Sequence, residues 1–281
     1  METSIANNPL AKHFRQPSIY LKLPSQGRFY DNNAIDLGAT GEIPIYPMTV
    51  KDEILLRTPD ALMNGESMVQ MIKSCVPSIN DPYQLPLSDL DAILIAIRLA
   101  SYGNELEIKS NCTQCNHENE HNIDLRALLD RIQPTASYDQ THLVDGLIFE
   151  LQPQKFKDIN IVGQMTFEQR KLLSSIEASE LSESERKQYF QDAFKKLTDL
   201  NIITLVNCIK SITTETGDRV DNPALIKEFL TNATRSTYDE IKTVVNKTIE
   251  LNKLAPMTVN CEECTKEYPV DIDFNQTNFF E

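Results

Sequence analysis

Asn111-Cys112-Thr113-Gln114-Cys115 and, far downstream, Asn260-Cys261-Glu262-Glu263-Cys264 are two copies of one pattern. Each Cys-x-x-Cys follows an Asn. Each is preceded by a short strand-like run, Leu106 to Lys109 in the first and Met257 to Val259 in the second. Eight residues after each pair comes an apolar-Asp-apolar tripeptide, Ile123-Asp124-Leu125 and Ile272-Asp273-Phe274. A reverse turn between two strands with two thiols at its tip is a metal knuckle, and two knuckles supply the four sulfurs that Zn²⁺ takes in closed structural sites. The pattern predicts one structural Zn²⁺ per chain on Cys112, Cys115, Cys261 and Cys264. Such a site has no open position for water or substrate, so it predicts a staple between the middle of the chain and its last residues. A thioredoxin-like redox pair would need Cys-x-x-Cys opening a helix after a strand, and here polar residues and a second strand follow.

The 281 residues carry 41% apolar and 24% charged side chains, ordinary for a globular protein of one large or two small domains. The net charge is −14, without a basic block to neutralise phosphates. The second knuckle reads Cys-Glu-Glu-Cys, which repels phosphate. Protein partners, including basic surfaces, are expected rather than nucleic acid, and a nucleic-acid-binding zinc ribbon is the alternative reading. The longest apolar run, Ala92 to Ile97, stops at Arg98, so no membrane insertion is expected. The N-terminus lacks a basic region followed by an apolar core. Cys75 and Cys208 sit in apolar helical patterns and read as buried thiols of a reducing cytoplasm.

The predicted fold is α+β and mainly α-helical, with an extended N-terminal arm, a small β-hairpin and a two-knuckle zinc ribbon. Residues 1–50 read as the arm with short strands. The stretch Ile19 to Leu23, bounded by prolines, alternates apolar and polar; it either covers its own domain or adds as a strand to a partner. Phe14, Arg15, Ile19, Tyr20, Leu21 and Leu23 are its candidate partner-binding residues. Residues 51–103 read as helical: a short helix after Thr49, one opened by Pro59-Asp60 and ending near Cys75, and a central one capped by Ser88 and stopped at Gly103. The first knuckle occupies 104–126. Residues 127–255 read as a helical domain with a hairpin near 141–152 turning at Asp145-Gly146. Within it a long helix capped at Ser182 carries Leu200, Leu205 and Ile209, with a break near Asp199. Asn222-Pro223 and Ser236 open two more helices. The second knuckle and tail fill 256–281.

No catalytic constellation is legible. His117-Glu118-Asn119-Glu120-His121 matches the His-Glu-x-x-His pattern of zinc proteases, but it begins two residues after Cys115, inside the knuckle, without the buried helix that pattern needs. His117 replacing one cysteine as a ligand is a smaller variant of the four-sulfur reading. There is no Gly-rich phosphate loop and no Gly-x-Ser-x-Gly elbow, so neither an enzyme nor a small-molecule substrate is expected.

Several segments resemble the T4-like phage baseplate hub protein family. They are Phe14-Arg15-Gln16-Pro17, Ile19 through Tyr30, Ile45-Tyr46-Pro47-Met48-Thr49, Arg57 through Leu62, Ser74-Cys75-Val76-Pro77 and Leu94 through Gly103. The resemblance covers roughly residues 8–130. It implies a non-enzymatic component or assembly factor of a contractile-tail baseplate hub, with other baseplate, hub or tape-measure proteins as partners. It places the protein in the host cytoplasm during assembly and in the virion tail baseplate.

Overall fold

The computed structural model describes residues 9–31, 33–57, 65–132, 134–177, 183–272 and 279–280. The chain is about 45% helix and 22% strand, with eight α-helices and four antiparallel sheets among the described residues. That corrects the expectation of a mainly α-helical fold: sheet is present in every third of the molecule. Most of the added strand comes from backbone pairing between segments distant in sequence, which no local pattern announces.

The first core begins with the arm. Strand β1 (Ile19–Lys22) pairs antiparallel with β2 (Glu42–Ile45), Ile19 opposite Ile45. Alternation puts Leu21 and Leu23, Ile43 and Ile45 inside. Helix α1 (Val50–Leu56) starts in a reciprocal capping box, with Thr49 and Asp52 each bonding the other's backbone N–H. Helix α2 (Glu66–Cys75) buries Met68, Met71 and Ile72; the expected opening at Pro59-Asp60 lies outside the described residues. Helix α3 (Leu87–Tyr102) has ten buried residues, and from Ala92 to Ile97 no side chain is more than 2% exposed. A helix apolar all round must be sheathed on all sides, and the arm, α2 and helix α4 (Leu125–Asp130) surround it. Its cap differs from the sequence reading. Pro86 is the N-cap and Ser88 lies inside the first turn, its hydroxyl buried without a hydrogen bond. Asp89 instead accepts from the Ser25 backbone N–H (2.8 Å) and from the Ser25 and Tyr30 hydroxyls. The arm's turn is therefore bolted to the positive end of the central helix.

The second core forms around a four-stranded sheet in the order β5 (Thr141–Val144), β6 (Leu147–Leu151), β7 (Ile209–Thr213), β8 (Arg219–Val220). The turn between β5 and β6 holds Asp145 at φ 52° and Gly146 at φ 75°, the two positive values a tight hairpin turn requires. The expected lone hairpin thus becomes the edge half of a larger sheet. Helices α5 (Phe156–Glu177) and α6 (Glu183–Asn207) follow, and α6 passes Asp199 unbroken but ends before Ile209, which starts β7. The expected cap at Ser182 lies outside the described residues. Helix α7 (Pro223–Asn232) is capped by Asn222 and α8 (Arg235–Asn252) by Thr234; Ile226, Leu230, Ile241 and Val245 pack with Phe149 and Leu151.

The arm also joins the two cores. Gly27 takes φ +78° where a Cβ would collide with Leu37. Next to it Arg28 bonds Asp139 and Thr135, and Phe29 meets Tyr138 edge-on with ring centroids 5.8 Å apart. At the other end of the chain, Arg98 of α3 donates to the Phe279 carbonyl and stacks on the rings of Phe279 and Tyr102, holding Phe279 and Phe280 in the first core.

Candidate metal centre

Two hairpins leave the body side by side. The first, β3 (Glu105–Asn111) and β4 (Glu118–Asp124), runs through seven register pairs from Glu105 opposite Asp124 to Asn111 opposite Glu118. The second, β9 (Met257–Asn260) and β10 (Glu267–Val270), runs through four, ending at Asn260 opposite Glu267. Their tips are built alike. The Cys112 N–H bonds the His117 carbonyl and the Asn116 N–H bonds the Cys112 carbonyl, each at 2.9 Å. In the second tip the Cys261 N–H bonds Lys266 and the Thr265 N–H bonds Cys261, again at 2.9 Å. Each turn closes on a left-handed residue directly after its second cysteine, Asn116 at φ 57° and Thr265 at φ 58°.

The matched turns bring Cys112, Cys115, Cys261 and Cys264 together, all four sulfurs within 4.8 Å of one another. Two pairs cross between hairpins: Cys112 to Cys264 and Cys115 to Cys261, each 3.6 Å. A disulfide would need about 2 Å, and the four are free thiols. Among the described residues no other group of three or more His, Cys, Asp or Glu side chains is close enough to share an ion.

The electrostatics of the cluster ask for a cation. The Cys264 backbone N–H, helped by that of Glu263 and opposed by burial, draws the Cys261 thiol down to about 6. The Cys115 and Gln114 backbone N–H groups lower Cys112 in the same way. Cys115 goes the other way: the His117 backbone bond pulls it down, but burial and the three neighbouring sulfurs outweigh that and push it up to about 12. At Cys264 the Lys266 backbone bond is likewise overcome by burial and by the Cys112 and Cys261 sulfurs. Four thiolates this close repel one another, so without a cation the cluster titrates as a coupled group and full ionisation is disfavoured. A divalent ion among them removes that conflict, and the residues fit a metal of thiolate preference.

His117 and His121 do not join the cluster. His117 lies in the turn just before β4 and His121 within β4, and neither is among the described side chains close enough to share an ion. His121 Nε2 lies 3.2 Å from the Tyr268 hydroxyl.

Two residues of the site escaped the sequence reading. Asn119, 1% exposed, accepts from the Glu262 backbone N–H at 2.8 Å and donates to the His117 carbonyl at 2.9 Å. Tyr268, 2% exposed, shares its hydroxyl with Ser110 at 2.7 Å and with His121. Their only advance signal was position, each four residues after the second cysteine of its knuckle.

The arm residues singled out from sequence separate into two groups. Leu21 and Leu23 are buried in the first core, and Ile19 packs against it. The Arg15 guanidinium donates to the Pro47 and Ser74 carbonyls and the Ser74 hydroxyl, and pairs with Asp52 at 3.4 Å. Phe14 and Tyr20 are 52% and 63% exposed.

A mixed α and β body closed by a four-cysteine clasp is the class of molecule this architecture defines: a scaffold held by a potential metal site. The chain belongs to the family of T4 bacteriophage base plate proteins, whose family model matches residues 16–281. No curated protein and no solved structure matches it. Membership gives the chain a structural role in the phage tail baseplate, in contact with other baseplate proteins. Among the described residues no helix is long and apolar enough to cross a membrane.

Proposed function

We propose that the protein is a non-enzymatic component or assembly factor of the baseplate hub, that it works by protein–protein contact, and that one structural Zn²⁺ on the four cysteines keeps its contact surfaces rigid. The four-sulfur cluster carries the metal half of this reading. With Zn–S bonds near 2.3 Å, a regular tetrahedron has sulfurs about 3.8 Å apart, and the two pairs that cross between hairpins stand at 3.6 Å. Four sulfurs complete the coordination, so the ion holds the hairpins together and takes no part in turnover.

Charge supports protein partners over the nucleic-acid alternative. Residues 105–124 and 257–271 contain nine acidic and two basic side chains, half of the chain's net −14. Glu118, Glu262, Glu263 and Glu267 all face solvent around the clasp, where they repel phosphate and suit a basic protein surface. On the arm, Phe14 and Tyr20 are the side chains available to a partner such as a hub or tape-measure protein. Arg15, Ile19, Leu21 and Leu23 shape the strand that presents them.

The test is tail assembly in the host with Phe14→Ala/Tyr20→Ala protein, alongside metal analysis of purified wild-type chain. The proposal expects one zinc per chain, defective assembly with normally folded variant, and no DNA or RNA binding at low salt. Normal tails from the variant remove the arm as docking element. Salt-sensitive nucleic-acid binding by the wild type favours the alternative reading.

A further inference from the structure

We propose that Asn119 and Tyr268 are positioning residues of the metal clasp, each reaching from its own knuckle to brace the other so that the four sulfurs stand together before the ion arrives. This rests on the zinc reading above and adds to it what holds the ligands.

The two residues occupy equivalent places. Asn119 lies opposite Ser110 on β4 and Tyr268 lies opposite Val259 on β10, each one register pair in from the tip. Their reach is reciprocal. From the first hairpin, the Asn119 carbonyl oxygen accepts from the Glu262 N–H, inside the Cys261-x-x-Cys264 turn. From the second, the Tyr268 hydroxyl meets Ser110 and His121, one on each strand of the first hairpin. Both side chains are buried, so each bond is shielded from water and its loss leaves a polar group unpaired. The apolar packing between hairpins is small: Cys112, Cys261, Tyr268 and Val270, with Ile108, Val259 and Cys264 at its margin. Non-directional packing of that size does not fix the separation of the two turns to a few tenths of an ångström. The directional bonds between Asn119 and Glu262 and between Tyr268 and both Ser110 and His121 do, and outer-shell partners typically account for roughly 10–100-fold in metal affinity.

The nature of the residues fits the task. Asn119 provides its oxygen to the second knuckle and its amide to the His117 carbonyl of its own, so its side chain cannot rotate without losing one bond. Tyr268 reaches across with a rigid ring that also lies edge-on to His121, centroids 6.2 Å apart. Neither side chain is among the four ligands.

The experiment loads full-length wild type, Asn119→Ala and Tyr268→Phe with Co²⁺, reads the thiolate charge-transfer and d–d bands, and measures affinity by competition with a chelator. Lys109→Ala, which removes the Lys109–Glu120 ion pair within one hairpin, is the control. Each brace variant is expected to bind roughly 10–100-fold more weakly, and the control like wild type. Tyr268→Phe loses one oxygen and keeps the packed ring, so it remains informative should Asn119→Ala fold poorly. Variants with wild-type affinity and spectrum overturn the bracing role while leaving the metal site standing. A wild-type chain without a four-sulfur Co²⁺ spectrum overturns the metal reading beneath it.

Discussion

The two knuckles share a tip and differ in what stands behind it. The first hairpin has seven-residue strands rooted in the main core: Leu106 and Ile123 are 2% exposed, and Asp124 caps helix α4 directly after β4. The second has four-residue strands, carries Pro269, which cannot donate to a sheet, and buries little beyond Tyr268, Val270 and its own first cysteine. The first hairpin thus has more core support than the second, which meets that core through Met257 and is expected to rely more on the first knuckle. Equal turn geometry at the tips conceals unequal support.

The largest effect is expected from removing the proposed ion. Chelation, or Cys261→Ser/Cys264→Ser, should raise amide exchange in residues 257–270 by about tenfold or more, the signature of local opening, with residues 105–124 changing little. Hydrogen-exchange mass spectrometry of the two peptides makes the comparison, and equal exposure of both hairpins would sink it. Next in size is the core contact. Ile123→Ala should cost about 2–5 kcal/mol in denaturant unfolding, whereas Val259→Ala, half-buried in the second hairpin, should cost about 1 kcal/mol or less. The smallest effect separates the tips. Thr265 is β-branched at positive φ, a conformation costing roughly 1–2 kcal/mol, so Thr265→Gly should stabilise the metal-loaded protein by up to about 1 kcal/mol after the glycine entropy cost. Asn116→Gly should be close to neutral, since Asn tolerates this region. Melting temperatures of the two variants decide between them.

Local chemistry was legible wherever it acts over a few residues. The helix start near Thr49, Asp145-Gly146, Asn222-Pro223 and the stop at Gly103 all appear where the chain pattern put them. The four cysteines were legible because a paired Cys-x-x-Cys has few other uses. Other features misled. Leu205 and Ile209 are four residues apart and read as one helical face, yet Ile209 pairs with Leu151 in β7. Ile209, Ile212 and Thr213 are β-branched, and the neighbouring strand outweighed helical spacing. Ser88 looked like a cap, but the N-cap is Pro86, two residues earlier, which leaves Asp89 to serve the arm.

By itself the sequence determined the four cysteines that could hold a metal, the absence of a recognisable catalytic motif, the acidic charge and most helix ends, because each is written in residue type and short spacing. Only the tertiary structure decided that the arm's Leu21 and Leu23 are interior, that a four-stranded sheet organises the second core, and that Asn119 and Tyr268 link the knuckles. Those outcomes depend on which distant segments meet, and the energy of a buried hydrogen bond or strand pair exists only once both partners are in place.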